Sequence, residues 1–388
     1  MSLYSQLGKL AYVASLLVVM TAGTANMIAK TVSDVPLGGV EVAAPLPSLT
    51  FQEVRSETFQ HSAVTWFEQR WGLRGYAVRT DNTIGVRLFG ETRTDQHAVV
   101  GDQGVLFTRD DIAYSNRDDS PDRTIALAQS FARVQTRLAA RGTVLIPLVM
   151  PSKTSVYPKA VPVQWRRRGA HHRSDENIYG AFVRTLSDAG ATFLDARAML
   201  APDASKRPED IFEPTGRHWR AGTGCRVLEA ALDKARPLLP ELGHAVIDCR
   251  TTIEPNPPIE AEDFDIYRLL NIWGSKPRGI DVDRFAGEKG APELQVPTLF
   301  VGSSFVWKFA HAARELELLQ PSLVYFYDET VVETKTYAMR KVEPFTDTWR
   351  SDTFGKRLII VAVLETFLPE DGRKFIDEIA KELDAHPD

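Results

Sequence analysis

The sequence predicts an α/β protein with a mostly parallel sheet flanked by helices. Three observations carry that expectation. Apolar runs alternate with helical stretches over roughly 240 residues, the pattern of strand–helix–strand units. Residues 143–150 (TVLIPLVM) and 358–364 (LIIVAVL) are apolar but for Thr143, as strands covered on both faces are. Gly142 and Gly190 each close a helical stretch just before the next apolar run.

The elements follow in order. Residues 10–25 (LAYVASLLVVMTAGTA) are apolar and uncharged, and Lys9 is the only charge before them. Sixteen residues is short of the ~20 of a confident membrane span. Gly23 and Ala25 stand at −3 and −1 from Asn26, which suits signal-peptidase cleavage. Two export readings stay open: a cleaved secretory signal, or an uncleaved anchor that leaves the rest of the chain outside the cytoplasm. A buried core helix is the third alternative. Residues 26–60 read as a linker with a first strand-like piece, and helical character begins near Trp66 and Phe67. Asp102, Gln103 and Gly104 between apolar runs signal a short hairpin. Residues 122–140 place Leu127, Phe131, Val134 and Leu138 on one helical face. Helices are expected at 176–189, 223–239, 303–319 and 370–383, and strands at 191–195, 245–248, 298–301 and 323–327. Residues 250–292, rich in Pro, Gly and charge, read as an irregular excursion. The division is 1–30 export segment, 31–60 linker and 61–388 one large α/β domain.

Composition narrows the function classes. With 388 residues, 44% hydrophobic and 25% charged, the chain is neither disordered nor a polytopic membrane protein. A net charge of −5 argues against general nucleic-acid binding. Cys225 and Cys249 exclude a disulfide scaffold and a Cys-rich zinc module, and could pair in an oxidising compartment. His171 and His172 are adjacent, without the spacing of a helical metal pair, so no metal is expected.

Four segments carry candidate chemistry. In VPTLFVGSSFVWKF a strand ends at Val301, Gly302 turns the chain, and Ser304 stands where a helix starts. That turn lifts a serine to the sheet edge and aims backbone N–H groups of Gly302 and Ser303 at a developing oxyanion. Serine is also an ordinary helix N-cap, so the motif alone is weak. In TGRHWRAGTG, His218 lies in a Gly-rich loop beside Trp219, the kind of place that supplies a base for a serine. In PSKTSVYP, Lys153 and Tyr157 follow a buried strand and would project over the same sheet edge. In WRRRGAHHR, Arg166, Arg167 and Arg168 could grip a polyanion, with Trp165 as a stacking face. Each also has an ordinary structural explanation as a loop or surface residue.

Taken together and in order, these segments resemble the AlgJ/AlgX family of alginate O-acetyltransferases, periplasmic enzymes with an SGNH-hydrolase-like domain. WFEQRWGLRGYAVR, VVGDQGVLF, VMPSKTSVYP, GRHW, VGSSF and VAVLETFLP carry the resemblance, across residues 59–369. It implies an SGNH-hydrolase-like fold with Ser304 as nucleophile and His218 as base. The family's aspartate stands two residues before the histidine; here that residue is Gly216. In a serine triad the acid fixes the histidine tautomer, and its loss costs about 10⁴ in rate. Glu213 and Asp210 are the nearest replacements. A slow His–Ser dyad and a degenerate site are the alternatives.

The resemblance implies an exported O-acetyltransferase acting on an exopolysaccharide, alginate or similar. Lys153, Tyr157, Trp219 and the three arginines 166–168 would contact substrate. No cofactor would be bound: an MBOAT-type membrane acyltransferase would deliver the acetyl donor, and residues 10–25 would tether the enzyme near it. A non-catalytic polysaccharide-binding subunit and an acetyl esterase are the competing readings.

Overall fold

A computed structural model describes residues 3–39, 43–92, 98–117, 120–166, 178–243, 247–255, 257–258, 261–274, 281–286, 296–316 and 319–386. The chain forms two compact units: Met1–Val100 with Ile266–Lys276, and Gly101–Asp265 with Pro277–Asp388.

The first unit is helical, with helices Leu3–Ala29, Phe51–Arg55, Thr58–Arg70 and Arg74–Ile84. The 22 residues Gly8–Ala29 include an apolar window of mean hydropathy 1.6. At 1.5 Å per residue they reach about 33 Å, enough by length and composition to cross a membrane. The apolar stretch is therefore longer than the 16 residues read from composition, because Asn26 and Met27 continue the helix. Asn26 is buried: its amide donates to the carbonyls of Val32 (2.8 Å) and Gly72 (2.6 Å), and its oxygen accepts from the Val32 N–H at 2.8 Å. Gly72 N–H donates to the Gly23 carbonyl at 3.1 Å. The strand-like piece expected within 26–60 is absent among the described residues, and helices start at Phe51 and Thr58. Thr50 supplies the N-cap that composition hid, accepting from the Glu53 N–H at 3.2 Å. The segment after residue 265 belongs here: the Asn82 amide donates to Leu270 O at 2.9 Å and Gly38 N–H to the Asn271 side chain at 2.7 Å.

The second unit is the α/β body. Its sheet has strands β1 Val144–Met150, β2 Leu194–Asp195, β3 Thr298–Gly302, β4 Ser322–Phe326, β5 Thr330–Glu333, β6 Met339–Lys341 and β7 Leu358–Leu364. Their order is β6-β5-β4-β3-β7-β1-β2. The pairs from β4 through β2 are parallel, and β5 and β6 add an antiparallel hairpin edge. β7 is central, in register with Val144–Met150 on one side and Thr298–Val301 on the other. That position explains its unbroken apolar sequence: every residue of β1 and β7 is buried.

Alternate residues serve the two faces. Leu145, Val149, Leu299, Val301, Ile359, Val361 and Val363 pack with helices Asp122–Ala140, Ile178–Asp188 and Arg373–Ala385. Helices Ala221–Ala235 and Val306–Glu315 pack on each other. Phe309 of the second reaches Phe300 of β3, with ring centroids 5.8 Å apart.

Helix Asp122–Ala140 and strand 358–364 lie where the sequence put them. The strand expected at 191–195 shortens to two residues, because only Leu194 and Asp195 pair with β1. Residues 247–250 form no strand, and 244–246 lie outside the described residues. The excursion 250–292 contains an antiparallel hairpin, Thr251–Pro255 against Asp281–Phe285. Cys225 and Cys249 form a disulfide that ties this hairpin's approach to helix Ala221–Ala235. Closing a loop of this length removes denatured-state entropy of the order of 3 kcal/mol.

Candidate active site

β3 ends at Gly302, and the chain turns through Ser303, Ser304 and Phe305 before helix Val306–Glu315 begins. The helix thus starts later than the expected residue 303, and Ser304 sits on the turn. The turn is narrow. Gly302 has φ 152°, and a Cβ there would lie 2.8 Å from the Ala362 carbonyl of β7 and from Val306. Only glycine fits that approach. Behind the turn, Val306 N–H donates to Ser303 O at 3.1 Å and Trp307 N–H to Ser304 O at 3.3 Å. The site therefore lies outside the carboxyl ends of parallel strands, where open α/β sheets place ligands.

His218 comes from the loop between Phe212 and Trp219, whose ends pair as a β-bridge. Trp219 is fully buried and its indole N–H donates to Phe305 O at 3.2 Å, so the histidine's neighbour is bolted to the serine's neighbour. The Phe305 ring also faces the imidazole, centroids 5.1 Å apart. His218 Nε2 and Ser304 Oγ are 2.7 Å apart, across 86 residues of sequence. This is the reach a base needs to take the hydroxyl proton.

The far imidazole nitrogen meets a carboxylate that sequence reading missed. His218 Nδ1 lies 3.1 Å from Oδ2 of Asp265, while Asp265 Oδ1 accepts the Arg217 N–H at 2.8 Å. Asp265 opens the short helix Asp265–Leu269, inside the stretch expected to be irregular. The residues before it are locked. Phe264 is fully buried; Asp263 accepts from Arg284 at 2.8 Å; and its backbone carbonyl accepts from the Thr215 hydroxyl at 3.0 Å. Gly216 explains the exchange of positions. A Cβ at residue 216 would lie 2.7 Å from the Asp263 carbonyl, so the strand of chain that delivers Asp265 occupies the space of a side chain at 216.

Glu213 and Asp210, the acids expected nearest the histidine, are engaged elsewhere. Buried Glu213 pairs with Arg220 at 3.1 Å, and Asp210 pairs with Arg207 at 3.0 Å. The signal for Asp265 was the alternation in EDFDI, a buried phenylalanine between two aspartates. Its distance from the histidine hid it.

Three residues expected to touch substrate are structural. Lys153 is 2% exposed, and its ammonium donates to the carbonyls of Glu213 (2.7 Å), Pro214 (2.8 Å) and Gly216 (2.6 Å). Three donors meet three acceptors, all on the loop that carries His218. Burial pushes its pKa down to about 7, against Asp265, Asp111 and Glu213, which favour the charge. The Tyr157 hydroxyl donates to Phe212 O at 2.8 Å, and burial raises its pKa beyond the ordinary tyrosine range. Trp219 is core. Among the arginines, Arg166 donates to the carbonyls of Val161 and Lys159 (2.6 Å each) and lies 3.4 Å from Asp102. Arg167 and Arg168 lie outside the described residues.

Arg217, unremarked in the sequence, is central here. Its guanidinium donates to buried Asp111 at 2.9 Å. Burial opposes its charge, but Asp111, with Tyr327 and Asp265, outweighs burial and raises its pKa. No cluster of three or more metal-binding side chains occurs among the described residues.

Comparisons with known proteins bear on this site. Residues 98–251 match the family model of the SGNH hydrolase-like domain of acetyltransferase AlgX. That match contains His218 but stops short of Asp265 and Ser304. The probable alginate O-acetylase AlgJ of Pseudomonas syringae pv. tomato is 25% identical over 182 residues, 46% of this chain and 43% of that protein. The aligned region thus spans less than half the relative's length. Among solved structures, the O-acetyltransferase domain of Pseudomonas putida AlgJ aligns at 17% identity and TM-score 0.45, covering 74% of this chain and 99% of that one. Pseudomonas aeruginosa AlgX aligns at 13% identity and TM-score 0.41, covering 70% and 62%.

Proposed function

We propose that this chain, whose residues 98–251 match the SGNH hydrolase-like domain of acetyltransferase AlgX, is an O-acetyltransferase that acetylates an exopolysaccharide, alginate or a similar polymer, through Ser304. The observation that carries the proposal is the proximity of Ser304 Oγ and Asp265 Oδ2 to the two imidazole nitrogens of His218, at 2.7 and 3.1 Å. His218 Nε2 takes the Ser304 proton as Oγ attacks the acetyl carbonyl of the donor. N–H groups of the turn at Gly302 and Ser303 hold the oxyanion. The donor's leaving group departs with the proton from His218, and acetyl-Ser304 remains. A sugar hydroxyl then gives its proton to His218 and attacks the acetyl carbonyl, and Ser304 Oγ leaves with that proton. Asp265 fixes the imidazole tautomer and stabilises the imidazolium between steps.

The acetyl donor would come from a partner, and an MBOAT-type membrane acyltransferase fits the role. The apolar helix Leu3–Ala29 would keep the enzyme at the periplasmic face of the same membrane. Asn26 supports retention of that helix, because its hydrogen bonds to Val32 and Gly72 build the cleavage point into the fold. Intact-mass measurement of the membrane-extracted protein is expected to show residues 1–25 present. A mature form starting at Asn26 contradicts the anchor.

The function is tested by polymer acetylation in cells or membranes carrying Ser304→Ala. The expected result is loss of polymer O-acetyl groups by at least about 10³-fold, as for removal of a serine nucleophile. Polymer acetylated as in the wild type overturns the reading.

A further inference from the structure

Tyr327 immediately follows β4 and is 55% exposed. Its backbone N–H donates to Gly302 O at 3.2 Å, on the nucleophile turn. Tyr327 is therefore tied to the strand end beside the Ser304 turn. The backbone there is unusual: Tyr327 and Asp328 both lie in the left-handed region, with φ 48° and 54°. Non-glycine residues rarely adopt that conformation, because it crowds Cβ against the following carbonyl oxygen. A bulky aromatic residue is a poor choice for such a position unless its ring is wanted where the turn puts it.

Other rings continue the surface. Phe326 meets Tyr327 edge-on at 4.4 Å, Trp307 lies 5.4 Å from Phe326, and Tyr337 lies 6.5 Å from Trp307. Trp307 is three residues past Ser304 and half-buried. Tyr337 is exposed, again left-handed at φ 57°, and lies under the guanidinium of Arg314 at 4.5 Å. The run thus combines apolar faces with phenol, indole and guanidinium edges. Amphipathic rings of this kind suit a partner that is apolar on one face and wet at its rim. A pyranose has that form: C–H groups on its faces and hydroxyls around its edge.

We propose that Tyr327, with Phe326, Trp307 and Tyr337, is the platform on which sugar rings of the acceptor polysaccharide lie while one hydroxyl reaches acetyl-Ser304. The proposal deepens the acetyltransferase reading and rests on it for the identity of the acceptor. The platform's direction away from the turn makes it a chain-binding surface, so affinity grows with oligosaccharide length over the first few sugars.

The test measures binding separately from chemistry. The full-length Ser304→Ala protein is titrated with de-acetylated alginate oligosaccharides and cello-oligosaccharides of increasing length. It is expected to bind one series, more tightly as length increases. Adding Tyr327→Leu weakens that binding at least tenfold, and Tyr327→Phe restores it to within about threefold, because the ring carries the contact. Tyr327→Asn, which tolerates the left-handed backbone, behaves as Tyr327→Leu and so separates loss of the ring from misfolding of the turn. Equal binding by the Leu, Asn and Phe variants overturns the platform, as does no binding of either series by Ser304→Ala. If binding follows the ring while wild-type Ser304 never accepts an acetyl group, the acetyltransferase reading falls and the sugar platform stands. If acetyl transfer proceeds with no dependence of binding on Tyr327, the platform alone falls.

Discussion

Asp265→Asn is expected to lower acetyl transfer by about 10⁴-fold while the protein keeps its fold, the cost of losing the acid in a serine triad. The asparagine keeps the shape of the side chain and can still accept from the Arg217 N–H, which holds Asp265 Oδ1 at 2.8 Å. It presents an amide to His218 Nδ1 in place of a carboxylate, so the tautomer with a free Nε2 lone pair toward Ser304 is no longer favoured. Asp210→Asn is the control. Asp210 pairs with Arg207 at the surface, and its replacement leaves transfer within about twofold. Gly216→Asp does not rescue Asp265→Asn, because its Cβ would press on the Asp263 carbonyl 2.7 Å away. It displaces the segment that delivers position 265 and lowers activity by itself. The contradicting result is transfer by Asp265→Asn within tenfold of wild type, or rescue by the aspartate at 216. Either would mean that the acid acting on His218 is another residue.

Lys153→Met is expected to cost about 3 kcal/mol or more of stability and about 10²-fold in the turnover of whatever protein remains folded. The stability loss comes from three carbonyls, those of Glu213, Pro214 and Gly216, left buried with no donor. The turnover loss comes from the loop itself. These carbonyls stand two to five residues before His218, and a shift of about 1 Å in a reacting group is worth that much in rate. Lys153→Arg does not restore either quantity, since a planar guanidinium needs more room than a buried ammonium with three donors on one atom. Urea unfolding reads the first effect, and turnover at fixed folded fraction reads the second. A variant as stable and as active as wild type would show that the loop holds its place without the lysine.

Much of the fold was legible in local sequence. Strand 358–364 and helix Asp122–Ala140 are found where expected because periodicity and burial agree there: one is buried on both faces, the other on one. Ser304 and His218 were legible through their motifs, and the structure places them 2.7 Å apart. What stayed hidden depends on contacts far apart in sequence. Lys153 looked like an exposed loop cation, since nothing local announces three carbonyls 60 to 63 residues away. Tyr157 and Trp219 looked available for substrate for the same reason, and both are consumed by the loop they support. Asp265 was hidden by its surroundings, a Pro-rich excursion held in place by a disulfide, by Arg284 and by Thr215. Gly216 pointed to it indirectly, as the vacated position of an acid.

The central claim is that Ser304 carries the acetyl group between donor and sugar. Its most direct test is peptide mass mapping of the wild-type protein quenched after brief exposure to an activated acetyl ester, with and without a chase of polysaccharide. One acetyl group on the peptide that contains Ser304, lost on the chase as acetyl appears on the polymer and absent from Ser304→Ala, is the predicted result. Acetylated polymer formed with no acetyl ever found on Ser304, or formed equally by Ser304→Ala, would contradict it.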